Sequence, residues 1–97
     1  MINLSDLQAL QEIRERKQMI AVIITEGVGD LDTLKQEVED LEERRREIIQ
    51  KISSMPQRER NLLLLHYDMG LTWEDTAKAL GIGVRWMFRI RKSIVNT

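Results

Sequence analysis

Three basic side chains and one amide near the C-terminus have the types and the spacing of a surface that reads DNA. Arg85, Arg89, Lys92 and Asn96 follow one another at intervals of four, three and four residues. On a helix with about 100° per residue, these intervals place all four side chains on one face. Arginine and lysine bind guanine edges or phosphates and asparagine pairs with adenine, so the set suits the major groove. The alternative is a basic face that contacts only solvent.

The opposite side of the same segment is apolar and is expected to face the core. Trp86 and Phe88 fall on the two borders between the faces. Residues in such places usually edge a core, although Trp86 could lie against sugar and phosphate and Phe88 against a thymine methyl. Arg91 points toward the core side, where we expect it to pair with an acid or to reach backbone phosphate. The inner face comprises Val84, Met87, Ile90 and Ile94.

The segment from Trp73 to Lys92 has the pattern of a helix-turn-helix. This motif needs a small residue where its helices cross and a turn glycine four residues later, and Ala77 and Gly81 meet both needs. Thr76 stands where an aliphatic residue is more common. A plain amphipathic hairpin would imitate part of the pattern. The apolar positions of the motif are Leu80, Ile82, Met87 and Ile90.

An additional helix is predicted just before this motif. Ser54 and Gln57 have the spacing of a capping box, and the helix they open runs through four consecutive leucines to Gly70. His66 and Tyr67 on this helix are expected to be packing residues rather than catalytic ones. Thr72 then begins the first helix of the motif.

The N-terminal half predicts two long helices separated by the turn Gly27 to Asp30. The first spans about Leu4 to Glu26, and its apolar second half needs cover from the next helix or from a second chain. From Leu31 the apolar residues recur at alternating steps of three and four, interrupted once by Arg45, which is typical of a coiled coil. The residues expected to mediate oligomerisation are Ile20, Ile24, Leu34, Val38, Leu41 and Ile48.

These elements predict an all-α protein with two domains. Residues 1–53 would form a helical hairpin or coiled-coil segment for oligomerisation, and residues 54–97 a three-helix DNA-binding domain. On the solvent face of the second helix, acids stand four residues before bases, which predicts ion pairs within that helix. These pairs are Asp40 with Arg44, Glu42 with Arg46, and Glu47 with Lys51.

Composition narrows the function classes. The 97 residues have a net charge of −1, but twelve acids face eight bases up to Ile52, whereas seven bases face four acids thereafter. Phosphate attraction would therefore concentrate at the C-terminal end. Cysteine is absent and histidine occurs once, so we expect no metal and no cofactor. No nucleophile–base pair or phosphate loop is present, which argues against an enzyme. We expect neither secretion nor membrane insertion, and thus a cytoplasmic location.

The quoted segments also resemble a known family. Arg58-Glu59-Arg60, the run from Leu71 to Ala77, Leu80-Gly81-Ile82 and the segment Met87 to Ile90 resemble region 4 of sigma-70-type sigma factors. The likeness covers about Met55 to Thr97 and is closer still to small phage regulators that carry such a domain behind a helical segment.

This resemblance implies a DNA-binding domain that acts in transcription, with RNA polymerase as a further candidate partner. It places Arg85, Trp86, Arg89 and Lys92 toward the groove and the helix N-terminus at Thr72 against phosphate. Gly83 stands where the family usually has a serine cap, and Trp86 where a polar reader is common. Base specificity therefore does not carry over.

We therefore predict a sequence-specific regulator that binds double-stranded DNA, encoded by a phage or prophage, and acting as a homodimer in a bacterial or phage-infected cell. One alternative is an adaptor or inhibitor that docks on RNA polymerase or another host protein. Another is a phage packaging or recombination accessory protein, which would form a larger ring. Small-molecule substrates are not expected.

Overall fold

Two antiparallel helices of equal length form the first half of the protein, α1 (Leu4–Thr25) and α2 (Leu31–Ile52). The structure is a computed structural model and describes residues 2–96. The Asn3 side chain accepts a hydrogen bond from the Ser5 amide at the start of α1. The Asp30 side chain accepts one from the Asp32 amide at the start of α2. Short polar side chains at these positions satisfy amides that have no partner within the helix.

Ion pairs join the two helices, where the sequence predicted pairs within α2. The carboxylate of Glu37 binds Arg16 at 2.9 Å, and Glu42 binds Lys17. None of the three predicted pairs forms among residues 2–96. Because α1 runs antiparallel beside α2, Lys17 of α1 pairs with Glu42 and Asp6 of α1 pairs with Lys51, in place of the partners predicted within α2.

The second half consists of short helices. The helix after the hairpin begins at Gln57 and has Pro56 as its N-cap, so the predicted capping box with Ser54 is wrong. Proline has a fixed φ that suits the start of a helix, and the chain has not yet become helical at Ser54. The elements are α3 (Gln57–Leu63), a π-helical segment (Leu64–Asp68), α4 (Trp73–Leu80) and α5 (Val84–Ile94).

The two ends of the chain meet in a short parallel pairing. Strand β1 (Ile2–Asn3) pairs with β2 (Val95–Asn96), and Ile2 lies opposite Val95. Both of these apolar residues are buried. The pairing fixes the end of α5 against the start of α1.

One hydrophobic core runs through both halves, although the sequence suggested a division at 53/54. That division coincides with the end of α2, but core side chains pack across it. The fold is all-α, with a helical hairpin followed by a three-helix unit, as predicted. The principal shared core residues are Leu7, Leu10, Ile13, Ile48, Ile52, Leu62, Leu63, Tyr67, Ala77, Met87 and Ile90.

The three-helix unit packs against the first half of α1, which leaves the far end of the hairpin projecting. The molecule is accordingly elongated, measuring 46 × 24 × 21 Å. Within residues 2–96, every helix is too short or too polar to cross a bilayer.

Candidate nucleic-acid interface

Gly81 makes the turn between α4 and α5. It has φ +70°, a conformation that side chains with a Cβ rarely adopt. Its amide donates to the Lys78 carbonyl at 3.1 Å, and the next amide, of Ile82, donates to the Ala77 carbonyl at 3.0 Å. These two bonds end α4 in a Schellman motif and send the chain directly into α5.

The inner face of α5 fixes this helix on the core. Met87 and Ile90 are buried, and so is Ala77 at the crossing with α4. Thr76 is also fully buried, and its hydroxyl donates to the Thr72 carbonyl at 2.8 Å. Because that bond satisfies the hydroxyl, threonine is tolerated where an aliphatic residue was expected. Val84, predicted for the inner face, is exposed at the start of the helix.

The outer face of α5 carries three exposed cations, Arg85, Arg89 and Lys92, which we call the recognition face. Their positions on one helix, opposite the buried Met87 and Ile90, agree with the helical wheel derived from the sequence. Among residues 2–96, none of the three forms a salt bridge. Their positive charges are thus available to an anionic partner.

Aromatic side chains flank the recognition face on both sides. Trp86 is 47% exposed, and the guanidinium carbon of Arg58 lies 5.8 Å from its ring centroid. Phe88 is 43% exposed, and its ring centroid lies 5.6 Å from that of Trp73. Sequence reasoning did not find Arg58, since its position beside Trp86 depends on how α3 packs on α5.

Comparison with known protein families matches residues 45–93, half of the chain, to sigma-70, region 4. The chain belongs to the sigma-70 region 4 family. Comparison with curated proteins found no match, and comparison with solved structures found none either.

The sigma-70 region 4 match extends from the second half of α2 to Ser93, one residue before the end of α5. It therefore includes the whole helix-turn-helix and the recognition face. Domains of this family bind DNA and take part in transcription, and they are not enzymes. Within residues 2–96, no cluster of three or more histidines and acids is arranged to hold a metal ion.

Thr72 caps the first helix of the helix-turn-helix in this region 4 domain. Its hydroxyl oxygen accepts the Asp75 amide at 3.1 Å, so the side chain satisfies α4 itself. Two exposed acids, Glu74 and Asp75, occupy the first turn, where the helix dipole favours negative charge. A phosphate at Thr72 would have to approach beside these acids, and this contact stays a prediction.

Behind the recognition face of the region 4 domain lies an aromatic cluster. His66 stacks on Trp73 at 3.5 Å between centroids, and the Arg91 guanidinium lies 5.3 Å from the Trp73 ring. Arg91 also donates to the Tyr67 hydroxyl at 3.2 Å. As predicted, Arg91 turns toward the core, but its partners are aromatic side chains and not an acid. The π-helical segment, α4 and α5 come together in this cluster through tertiary packing.

The environment of His66 favours the neutral imidazole. Burial lowers its pKa below the ordinary value, and the charges of Arg91 and Arg14 lower it further, whereas its bond to the Leu71 carbonyl acts in the opposite direction. The distance from Nδ1 to that carbonyl oxygen is 2.7 Å. A carbonyl can only accept, so the proton of the neutral ring lies on Nδ1.

Asn96 lies beyond the end of α5. The wheel was drawn through residue 96, but α5 ends at Ile94 and Val95 is already extended. The helical register that placed Asn96 on the outer face is therefore wrong. Its side chain is outside the part of the chain that the structure describes, and its contact with DNA stays a prediction.

The six residues expected at an oligomer interface lie in three environments outside the helix-turn-helix. Ile20 and Ile48 are buried within the chain, because the structure covers them without a second copy. Leu34, Val38 and Leu41 are half-buried. The sixth, Ile24, is exposed.

Ile24 belongs to an apolar surface at the free end of the hairpin. The exposed fractions of Ile24, Val28 and Leu31 are 42%, 58% and 48%. These three residues, which we call the hairpin tip, line a cleft of about 250 Å³ together with Leu34. The tip is separate from the region 4 domain, and oligomerisation through it is untested.

Proposed function

We propose that this protein is a sequence-specific regulator of transcription that inserts α5 into the major groove of double-stranded DNA. The observation that carries the proposal is the recognition face: Arg85, Arg89 and Lys92 are exposed together on a helix whose other side is fixed in the core. A rigid helix holds the arginines in a geometry suited to bidentate contact with guanine. Family membership supports the same function.

Homodimerisation is part of the proposal. Three cations on one helix release few counterions, so a single copy would bind DNA weakly at physiological salt. Two linked copies would read two half-sites with a gain in effective concentration. The hairpin tip supports this arrangement, since its apolar residues Ile24, Val28 and Leu31 face solvent in one chain. An origin in a phage or prophage remains a prediction from the resemblance.

A tip-to-tip dimer makes a geometric demand on its operator. The helix-turn-helix packs against the first half of α1, and the whole molecule is 46 Å long. The two recognition faces would therefore be separated by more than one turn of DNA, about 34–36 Å. We expect widely spaced inverted half-sites.

Selection from random duplex DNA followed by affinity measurement tests the proposal. The variant Arg85→Ala/Arg89→Ala should lose about 30-fold or more in affinity for the recovered duplex, because each arginine to a base edge contributes about 1–3 kcal/mol. The matched control is Arg44→Ala/Arg46→Ala, which removes the same charge from two exposed positions on α2. It should lose less than threefold.

Circular dichroism of both variants shows whether the fold is retained. Equal losses in the two variants would mean that only total charge matters. Unchanged affinity in Arg85→Ala/Arg89→Ala would refute groove reading by α5. The solution mass measured alongside separates a dimer from a monomer and from the larger ring of a packaging protein.

A second candidate function is an adaptor that docks on RNA polymerase or another host protein. The outer side of α1 favours it, since Met19 and Val22 are exposed between Glu15 and Glu26. Neither of these glutamates forms a salt bridge among residues 2–96. The variant Met19→Ser/Val22→Ser would then lose binding to polymerase core enzyme while keeping its DNA affinity. A regulator that acts through DNA alone would show no polymerase binding to lose.

A further inference from the structure

We propose that Phe88 is a specificity-determining residue that recognises the 5-methyl group of a thymine in the major groove. The inference rests on the proposed function and adds a base preference that the three cations do not supply. Thymine, in addition to guanine, would then be part of the recognised sequence.

The position of Phe88 on α5 is the first observation. Phe88 follows Arg85 by three residues and precedes Lys92 by four, so the three side chains form one continuous stripe on the helix surface. Arg89 lies beside this stripe. Phe88 therefore borders the cations of the recognition face directly.

The exposure of Phe88 is the second observation. Its side chain is 43% exposed, whereas its neighbour Met87 is fully buried. Burying an apolar ring stabilises a protein, so an exposed phenylalanine in this position forgoes part of that gain. An apolar partner that arrives with the ligand would recover it.

The packing of Phe88 is the third observation. One side of the ring contacts Trp73, with 5.6 Å between centroids and 55° between the ring planes. Trp73 is itself held between His66, stacked at 3.5 Å, and the guanidinium of Arg91. The exposed side of Phe88 is consequently presented by a packed cluster and needs little ordering on binding.

The chemistry of the groove then selects the ligand. A phenylalanine ring offers no hydrogen bond to the donors and acceptors of guanine, adenine or cytosine edges. Thymine alone presents a methyl group in the major groove, and apolar side chains recognise it by contact. Trp86 is exposed to a similar degree, but it lies on the opposite flank beside Arg58 and serves as the internal comparison.

Deoxyuridine provides the test, because it differs from thymidine only by the missing methyl. The probe is the duplex recovered by selection with the wild-type protein, in which each thymine is replaced singly by deoxyuridine. We expect wild-type affinity to fall about three- to tenfold at one position in each half-site, the scale of burying one methyl group. Phe88→Ala should bind thymine and deoxyuridine equally at that position, while Trp86→Ala should keep the difference.

Phe88→Leu is the second variant, to be used if Phe88→Ala does not fold. Leucine is also apolar, but its side chain is shorter than that of phenylalanine. Phe88→Leu should show a reduced but measurable preference for thymine. The inference is overturned if no deoxyuridine replacement in the duplex weakens wild-type binding. It is also overturned if both Phe88 variants discriminate thymine from deoxyuridine as the wild type does. Either result leaves the proposed function intact, provided that Arg85→Ala/Arg89→Ala loses affinity for the same duplex. Failure to recover any duplex overturns both proposals.

Discussion

The guanidinium of Arg45 donates two hydrogen bonds of 2.8 Å to the carboxylate of Asp68, from Nε to Oδ1 and from Nη2 to Oδ2. Arg45 comes from α2 and Asp68 ends the π segment, so the pair joins the hairpin to the three-helix unit. The hydrogen bonding to Asp68 raises the pKa of Arg45, which keeps it charged. The residue that interrupts the heptad pattern is therefore a connection between the two halves.

Removing either partner of this pair should destabilise the fold. We expect Asp68→Asn and Arg45→Met each to lower the free energy of unfolding by about 1–2 kcal/mol, since charged hydrogen bonds at a half-buried site are lost. The double variant should cost less than the two single effects combined. Urea unfolding of all four proteins gives this coupling energy, and Glu43→Gln, an exposed acid on α2, is the control. Additive losses would show that the pair contributes nothing beyond its separate side chains.

The shared core predicts that the hairpin and the helix-turn-helix unfold together. Leu10 is fully buried in the core, so Leu10→Ala should cost about 2–4 kcal/mol. Both tryptophans, Trp73 and Trp86, lie in the second half, so their fluorescence reports on the helix-turn-helix, while circular dichroism reports on all helices. The two signals should shift to lower urea together. A fluorescence midpoint that stays at its wild-type value would show that residues 54–97 fold independently.

The pKa of His66 gives stability a pH dependence. Burial lowers its pKa in the folded protein, so the unfolded chain takes up a proton first as the pH falls. The stability that neutral His66 contributes is complete above its pKa in the unfolded chain, about 6.5. It is lost as the pH falls from there through the lower pKa of the folded protein. His66→Phe should be less stable at neutral pH, because it loses the bond to Leu71, but its stability should change less between pH 7.5 and 5.5. Parallel pH profiles for the two proteins would contradict this.

The two glycines that flank the turn should respond in opposite directions. Gly83 is the N-cap of α5, has φ −73° and makes no side-chain cap, and nothing lies within 4 Å of a Cβ built there. Gly83→Ser should therefore stabilise the protein by about 0.5 kcal/mol, since serine can cap the helix. Gly81→Ala should destabilise it by about 1 kcal/mol because of the positive φ. Thermal unfolding of both variants checks the signs, and a gain from Gly81→Ala would show that the turn can change its conformation.

Much of the site follows from local rules. The recognition face depends on spacing along one helix, and Gly81 and Thr72 mark the ends of α4 through short-range preferences. Such features need only a few consecutive residues. The error at Asn96 has a tertiary cause, since β2 pairs with β1 and ends α5 two residues earlier than the helical pattern suggested.

Periodicity and capping act within single helices, so they are enough to predict the all-α class, the hairpin, the helix-turn-helix and the outward set Arg85, Arg89 and Lys92. Local patterns do not indicate which charges pair, which apolar residues are covered or how the aromatic cluster around Trp73 supports Phe88. These outcomes depend on contacts between residues far apart in the chain, such as Arg45 with Asp68. A long side chain has several partners within reach, and packing of the whole chain selects among them.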